Sequence, residues 1–153
     1  MMISFWLRVL GVLLYLLPWS DAIPFGRHLF LQFSFLQWLA IPALPLIFFE
    51  QTIPFGGLII FFVLFLTIVR NPKIPYFIRF NTLQALLIDI GLILISYGFQ
   101  LLIVPIGGGL IVRTLSSTVF LATLVMISFS AIECIQGNEP DLPGISEAVR
   151  IQL

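Results

Sequence analysis

Charge is what this sequence has least of. Of 153 residues only seven are Lys or Arg and seven are Asp or Glu, 9 % in all, for a formal net charge of zero. A balance so small and so even leaves no basic footprint for nucleic acid. Cysteine and histidine are rarer still, one of each. Cys134 alone excludes an intrachain disulfide and any Cys-pair metal motif. His28 has no Cys or second His near it in sequence, so no metal or other cofactor is expected, and an interfacial side chain is the simplest reading of it. No His–carboxylate array, no phosphate-cradling Gly-rich loop before a helix and no supported Ser/Lys pair appears. An enzyme is therefore not expected.

What is abundant is apolar surface. Hydrophobic residues make up 60 % of the chain, with 16 Phe, and the mean hydropathy is +1.16. A soluble fold cannot bury that much apolar area, and the remainder would drive aggregation. The expected class is an all-α integral membrane protein in contact with the lipid bilayer.

Five apolar stretches run Phe5–Trp19, Leu29–Phe49, Ile53–Val69, Phe80–Val104 and Leu110–Ile132. A helix needs about 20 residues to cross the hydrocarbon, with about 17 as the lower limit. The fourth and fifth meet this easily. The third meets it with Pro54 in its first turn, where a missing N–H costs nothing. The first is short, and Trp6 and Trp19 bracket it as interfacial anchors would. The second carries Pro42 and Pro45, which break a helix, and Gln32, Ser34, Gln37 and Trp38, which suit an interface. The expectation is one membrane domain over 1–153. Its four spans lie at about 5–20, 53–70, 80–104 and 110–133. An interfacial or re-entrant helical segment covers 27–49, with 27–41 a helix near the far interface, and a tail follows from 134 to 153. The phrase "IPFG" opens an apolar stretch twice, at Ile23–Gly26 and Ile53–Gly56, after the candidate caps Asp21 and Thr52. Either a duplicated helix-start device or shared turn chemistry explains it. "IGGG" at Ile106–Gly109 reads as a tight turn.

Arg70, Lys73 and Arg79 crowd the loop between the second and third of the four spans. The positive-inside rule puts that loop on the cytoplasmic-type side. With four spans both termini lie there too, which agrees with Arg8.

Polarity inside the membrane is concentrated in "NPKIPYFIRFNTLQALLIDIG", Asn71–Gly91. At about 100° per residue, Asp89, Ser96 and Gln100 fall in a stripe about 40° wide, with Asn81 about 80° from Asp89. Gly91 and Gly98 fall roughly opposite, where a neighbouring backbone could approach closely. A carboxylate at Asp89's depth costs about 2.5–3.5 kcal/mol at a helix centre. It must face protein or a hydrated cavity. Two readings stand: a polar lining or relay, and a structural hydrogen bond to another span, with Arg79 or Arg113 as partner. Glu50 and Glu133, near span ends, read as interfacial.

The same segment carries a resemblance. "IPFGGLIIFFVLFLTIVRNPKIPYFIRFNTLQALLIDI" is similar to the most recognisable part of the Tic-twenty family, a multi-span component of the protein translocon at the chloroplast inner envelope. The matching residues are Val69, Arg70 and Asn71, then Phe77, Arg79, Phe80, Asn81, Gln84, Ala85, Asp89 and Ile90. "YLLPWSDAIPFG" and "PDLPGISEAV" also resemble family phrases, so the likeness covers nearly the whole chain. No Ser/Arg-rich, acid-poor presequence is visible, which suggests a cyanobacterial or plastid-encoded type. The resemblance implies four membrane helices and both termini on the stromal or cytoplasmic side of a plastid inner envelope or a cyanobacterial plasma or thylakoid membrane. It implies association with other membrane subunits around a protein-conducting path, and contact with a translocating polypeptide. A scaffold or assembly subunit of a larger membrane complex is one alternative, and a small-solute or ion channel another. The candidate functional residues are Arg70, Asn71, Arg79, Asn81, Gln84, Asp89, Ser96 and Gln100.

Overall fold

The chain is described by a computed structural model covering residues 3–107 and 109–153. Every regular element among them is helical. The α-helices are α1 (Phe5–Leu14), α2 (Leu16–Ala22), α3 (Arg27–Gln32), α4 (Leu44–Thr52), α5 (Gly56–Leu64), α6 (Tyr76–Gly98), α7 (Gly109–Ile135) and α8 (Ile145–Gln152). Three helical runs are long and apolar enough to cross a membrane: Phe5–Gln32, Tyr76–Ile106 and Gly109–Ile135. A fourth candidate joins Ser34–Thr52 to Gly56–Val69 through a bend of 111°.

The first run differs from its expected bounds. The helix does not stop near residue 20 but passes through a 3-10 turn at Ile23–Gly26 into α3. The expected interfacial helix over 27–41 is thus split. Its first part continues the first span, and Phe33, at φ −123° and ψ 89°, breaks the chain before a 3-10 segment over Ser34–Ala43. Pro42 sits in that segment and Pro45 in the first turn of α4. Pro45 stands in a first turn, where its missing N–H is tolerated, while Pro42 is interior to the 3-10 segment.

The two "IPFG" copies do different things. The first keeps the helix going, because Gly26 packs against Phe120; a Cβ there would come within 2.8 Å of the ring. The second is the turn of the 111° bend. Pro54 lies in that turn and not in the first turn of α5, and Phe55 takes the left-handed φ of 58° just before Gly56. Neither expected cap acts as one: Asp21 is inside α2, and the Thr52 hydroxyl donates back to the Phe48 carbonyl at 2.7 Å. Of the Ile106–Gly109 turn, Gly107 has a φ of 76°, and Gly108 lies outside the described residues.

The core gathers where α1, α2, α6 and α7 meet. Tyr15, Trp19, Phe25, Phe77, Ile88, Leu92 and Phe120 are buried together. Trp19 and Phe30 each lie 5.3 Å from the Phe120 ring, centroid to centroid. The Trp19 indole donates to the Leu39 carbonyl at 2.8 Å, fixing the 3-10 segment against α2. Gly11 brings α1 close to Cys134 and Phe77; a Cβ there would meet both at 3.1 Å. The outside is apolar as well, with Leu94, Leu101, Leu110 and Val125 all exposed, and the polar groups near the core, such as Asn81 and Gln84, are buried. Polar inside and apolar outside is the arrangement that a lipid solvent favours.

One end of the bundle carries the Arg70–Arg79 loop. The N-terminal turn and the tail join it there. Arg8 reaches the Ile135 carbonyl at 3.3 Å, and the Arg150 guanidinium lies 5.5 Å from the centroid of the Phe80 ring. We call this the near end, and the end with α3 and Gly107 the far end.

Candidate functional site

The candidate residues fall into four environments along α6, the turn after it and the loop before it. In the loop, the Asn71 side-chain oxygen accepts from the Lys73 N–H at 3.0 Å, an Asx turn that shapes the connection. Arg79 donates to the Val69 carbonyl at 3.1 Å and so closes the C-terminal end of the preceding helical run. Arg70 is exposed.

Asn81 and Gln84 belong to a buried network at the near end. Both are 0 % exposed. The Tyr15 hydroxyl donates to Asn81 Oδ1 at 2.7 Å, and Cys134 Sγ lies 3.2 Å from the same oxygen. Asn81 Nδ2 donates to the Phe77 carbonyl at 2.8 Å. Gln84 Nε2 donates to the Tyr15 hydroxyl at 3.0 Å and to the Pro140 carbonyl at 3.2 Å. The Ser146 hydroxyl donates to Gln84 Oε1 and accepts from the Leu142 N–H at 2.7 Å. Every polar atom of the Asn81 and Gln84 side chains is engaged. The consequence is mechanical. The network fastens the tail segment Pro140–Ser146 and the start of α8 onto α1, α6 and α7, with Leu142, Ser146 and Val149 buried beneath it.

Ser96 and Gln100 lie in the opposite half of the helix. They line a far-end cavity of about 640 Å³, together with Asp21, Arg27, His28 and Ser116 among its polar residues and Phe25, Leu92 and Phe99 among its apolar ones. His28, expected at an interface, is one of its walls. Helix α6 gives way to a π-helical turn at Phe99–Ile103, and Gln100 projects from it.

Asp89 lies between these halves. It is 2 % exposed, and its Oδ1 has no hydrogen-bond partner. The expected partners are elsewhere: Arg79 is engaged by Val69, and the one ion pair among the described residues is Arg150–Asp141, at 3.3 Å. Glu50, read from its position as interfacial, is half-buried with Oε1 buried and unpartnered. The 111° break brings it inward.

Gly91 and Gly98 meet nothing. No atom lies within 4 Å of a Cβ built on either, so the close approach expected on that face is not made within the chain.

Sequence reasoning missed Tyr15, Pro140 and Ser146. All are distant in sequence from the segment they serve. The "PDLPGIS" turn was the available signal, since its Gly144, at a φ of 77°, and Ser146 start α8.

A helical bundle with an apolar exterior, an interior polar network and an unpaired buried carboxyl group is the architecture of a polytopic membrane protein. Residues 3–149 match the family described as chloroplast import apparatus Tic20-like, and the chain belongs to that family. It is 40 % identical over 147 residues to a Tic20 family protein of Synechocystis sp., covering 95 % of this chain and 92 % of the relative. It is 36 % identical over 151 residues to the protein TIC 20-v, chloroplastic, of Arabidopsis thaliana, covering 95 % and 70 %. A Tic20 family protein Ycf60 of Gracilaria tenuistipitata is 35 % identical over 153 residues, covering 95 % and 74 %.

Proposed function

We propose that this chain is a non-enzymatic subunit of a protein translocon that contributes to a polypeptide path across a plastid inner envelope or a cyanobacterial membrane. In this reading the bent pair counts as one crossing, giving four spans, and both termini face the stroma or cytoplasm with the Arg70–Arg79 loop. Other membrane subunits complete the path. Family membership supports the reading, and one observation carries it: a cavity lined by both polar and apolar side chains is let into the far end of an otherwise lipid-facing bundle. The near end is closed by the fastened tail. A continuous path therefore lies along the far-end cavity and then between this chain and a partner, or requires the tail to move.

A photo-crosslinking side chain placed at Ser96 or Gln100, with an arrested translocation substrate, tests this. Adducts from those positions and none from Val125, which faces outward on α7, is the expected result. Adducts from neither set would refute a path at this cavity. The scaffold reading is supported by a different observation, the open Gly91–Gly98 face bordered by exposed Leu94 and Leu101. It predicts crosslinks from Leu94 to other subunits and none to a passing chain.

A further inference from the structure

Helix α1 packs on α6 and α7, whereas α5 packs on α4 at one end and, through the π-helical turn Phe65–Val69 that continues it, on α6 at the other. Between α1 and α5 lies a groove of about 310 Å³. Its walls include Leu10 and Leu13 of α1, Ile60 and Leu64 of α5, Ile68 of the turn and Ile78 of α6, and every side chain lining it is Leu or Ile. Leu10 and Leu13 are half-exposed, so the groove lies open on the outer surface. It shares no lining residue with the far-end cavity.

Water finds no hydrogen-bond partner in such a place, and the solvent that enters it in a bilayer is hydrocarbon. From Ile60 to Ile68 the helix rises about 12 Å, close to the roughly 15 Å of hydrocarbon in one leaflet. A partner helix about 10 Å wide would occupy roughly 900 Å³ over that length. The groove offers about a third of this, which suits a single flexible chain.

An acyl chain brings a headgroup with it, and the near end selects the kind. The loop that joins Ile68 to Ile78, both of them walls of the groove, carries Arg70 and Lys73. Chain connection alone therefore holds these two cations at the near-end mouth. Trp6, exposed and one turn before Leu10, marks the interface at this level. Arg8 and Arg79 are occupied by backbone carbonyls. Arg70 and Lys73 are exposed and enter no ion pair among the described residues. No Asp or Glu occurs between Ile3 and Ser20 or between Gln51 and Ile88, the segments that supply α1, α5, the loop and the start of α6. The acids of the near end, Glu133, Glu139, Asp141 and Glu147, belong to α7 and the tail, and none lines the groove.

We propose that this groove seats one acyl chain of a phospholipid of net negative charge, whose headgroup is held by Arg70 and Lys73. The lipid fills the space that α1 and α5 leave and so couples the broken second stretch to the rest of the bundle. A zwitterionic phospholipid fills the groove equally well but gains less at the loop, because its own ammonium group repels the two cations.

Native mass spectrometry of the full chain tests this, with release from micelles that contain equal amounts of phosphatidylglycerol and phosphatidylcholine bearing the same acyl chains. One retained phosphatidylglycerol per chain is expected, in about tenfold preference over phosphatidylcholine. Arg70→Gln combined with Lys73→Gln should remove the preference and leave retention of phosphatidylcholine as in the wild type. Leu13→Trp, a half-exposed position where the larger side chain fills the groove, should lower retention of both lipids severalfold. Equal retention of the two lipids by the wild-type chain overturns the proposal and needs no variant to fold. Undiminished retention in Leu13→Trp overturns the groove as the seat. A wild-type chain that is dimeric and free of lipid, and that becomes monomeric in Leu13→Trp, overturns it too, because the occupant would then be a second copy.

Discussion

The near and far halves of α6 are built from similar polar residues and are used in opposite ways. In the near half every polar side-chain atom of Asn81 and Gln84 has a partner, from Tyr15 between α1 and α2, from α6, α7 and the tail, and only the Ser130 hydroxyl of α7 is buried there without a partner among the described residues. In the far half Ser96 and Gln100 face a cavity, and Asp89 keeps an unpartnered oxygen. A fully satisfied buried network rigidifies and specifies a structure, while an incompletely satisfied one is costly and is kept where something else completes it. The first half holds the molecule together. The second leaves polar groups facing a cavity or without a partner.

The largest effect should come from breaking the near half. Gln84→Leu removes the partner of Tyr15, Pro140 and Ser146 at once. With about 1–3 kcal/mol for each buried group left unpaired, a loss of roughly 3–5 kcal/mol is expected. Unfolding in mixed detergent micelles measures it, and protease cleavage within 136–153 should rise in step. Gly26→Ala comes next. The new Cβ would fall 2.8 Å from the rigid Phe120 ring, and overpacking of this kind costs about 1–3 kcal/mol. Ser146→Ala should cost about 1–2 kcal/mol and loosen the tail alone, a difference that limited proteolysis resolves from global unfolding.

In the far half the same kinds of change should be mild. Asp89→Asn should leave the stability of the isolated chain within about 1 kcal/mol of wild type, since it removes a buried carboxyl group that has no cationic partner. Gly91→Ala and Gly98→Ala should be neutral or stabilising by up to about 1 kcal/mol from helix propensity. If a partner helix seats on that face, both should nevertheless lower co-purification of other subunits, which is measured by comparing complexes isolated in mild detergent.

The helical class, the polar segment and its division of labour were legible to different degrees. Long apolar stretches marked the helices, because lipid demands them whatever the tertiary contacts. The prolines marked the break in the second stretch. The 3.6-residue period placed Ser96 and Gln100 on one face, and they do share a cavity. Period alone cannot say what that face meets. Tyr15 lies 66 residues from Asn81, and Ser146 lies 62 from Gln84. Nothing local in sequence encodes such pairings. Glu50 was read from its distance to a span end, but the turn at Pro54 and Phe55 redirects the helix and carries it inward. Gly91 and Gly98 fit the spacing of a packing rule, but nothing within the chain approaches them.

The contrast between a closed near end and an open far end can be measured in one experiment on membrane-embedded protein. Cys134 is the native reporter of the near-end network and is fully buried. Ser96→Cys in a Cys134→Ala background reports the far-end cavity. Both are treated with a small, polar, water-soluble maleimide in permeabilised membranes. Rapid labelling at position 96 and protection of Cys134, until Gln84→Leu releases the tail, is the predicted result. Equal protection at both positions, or labelling of wild-type Cys134 with position 96 inert, would contradict the account.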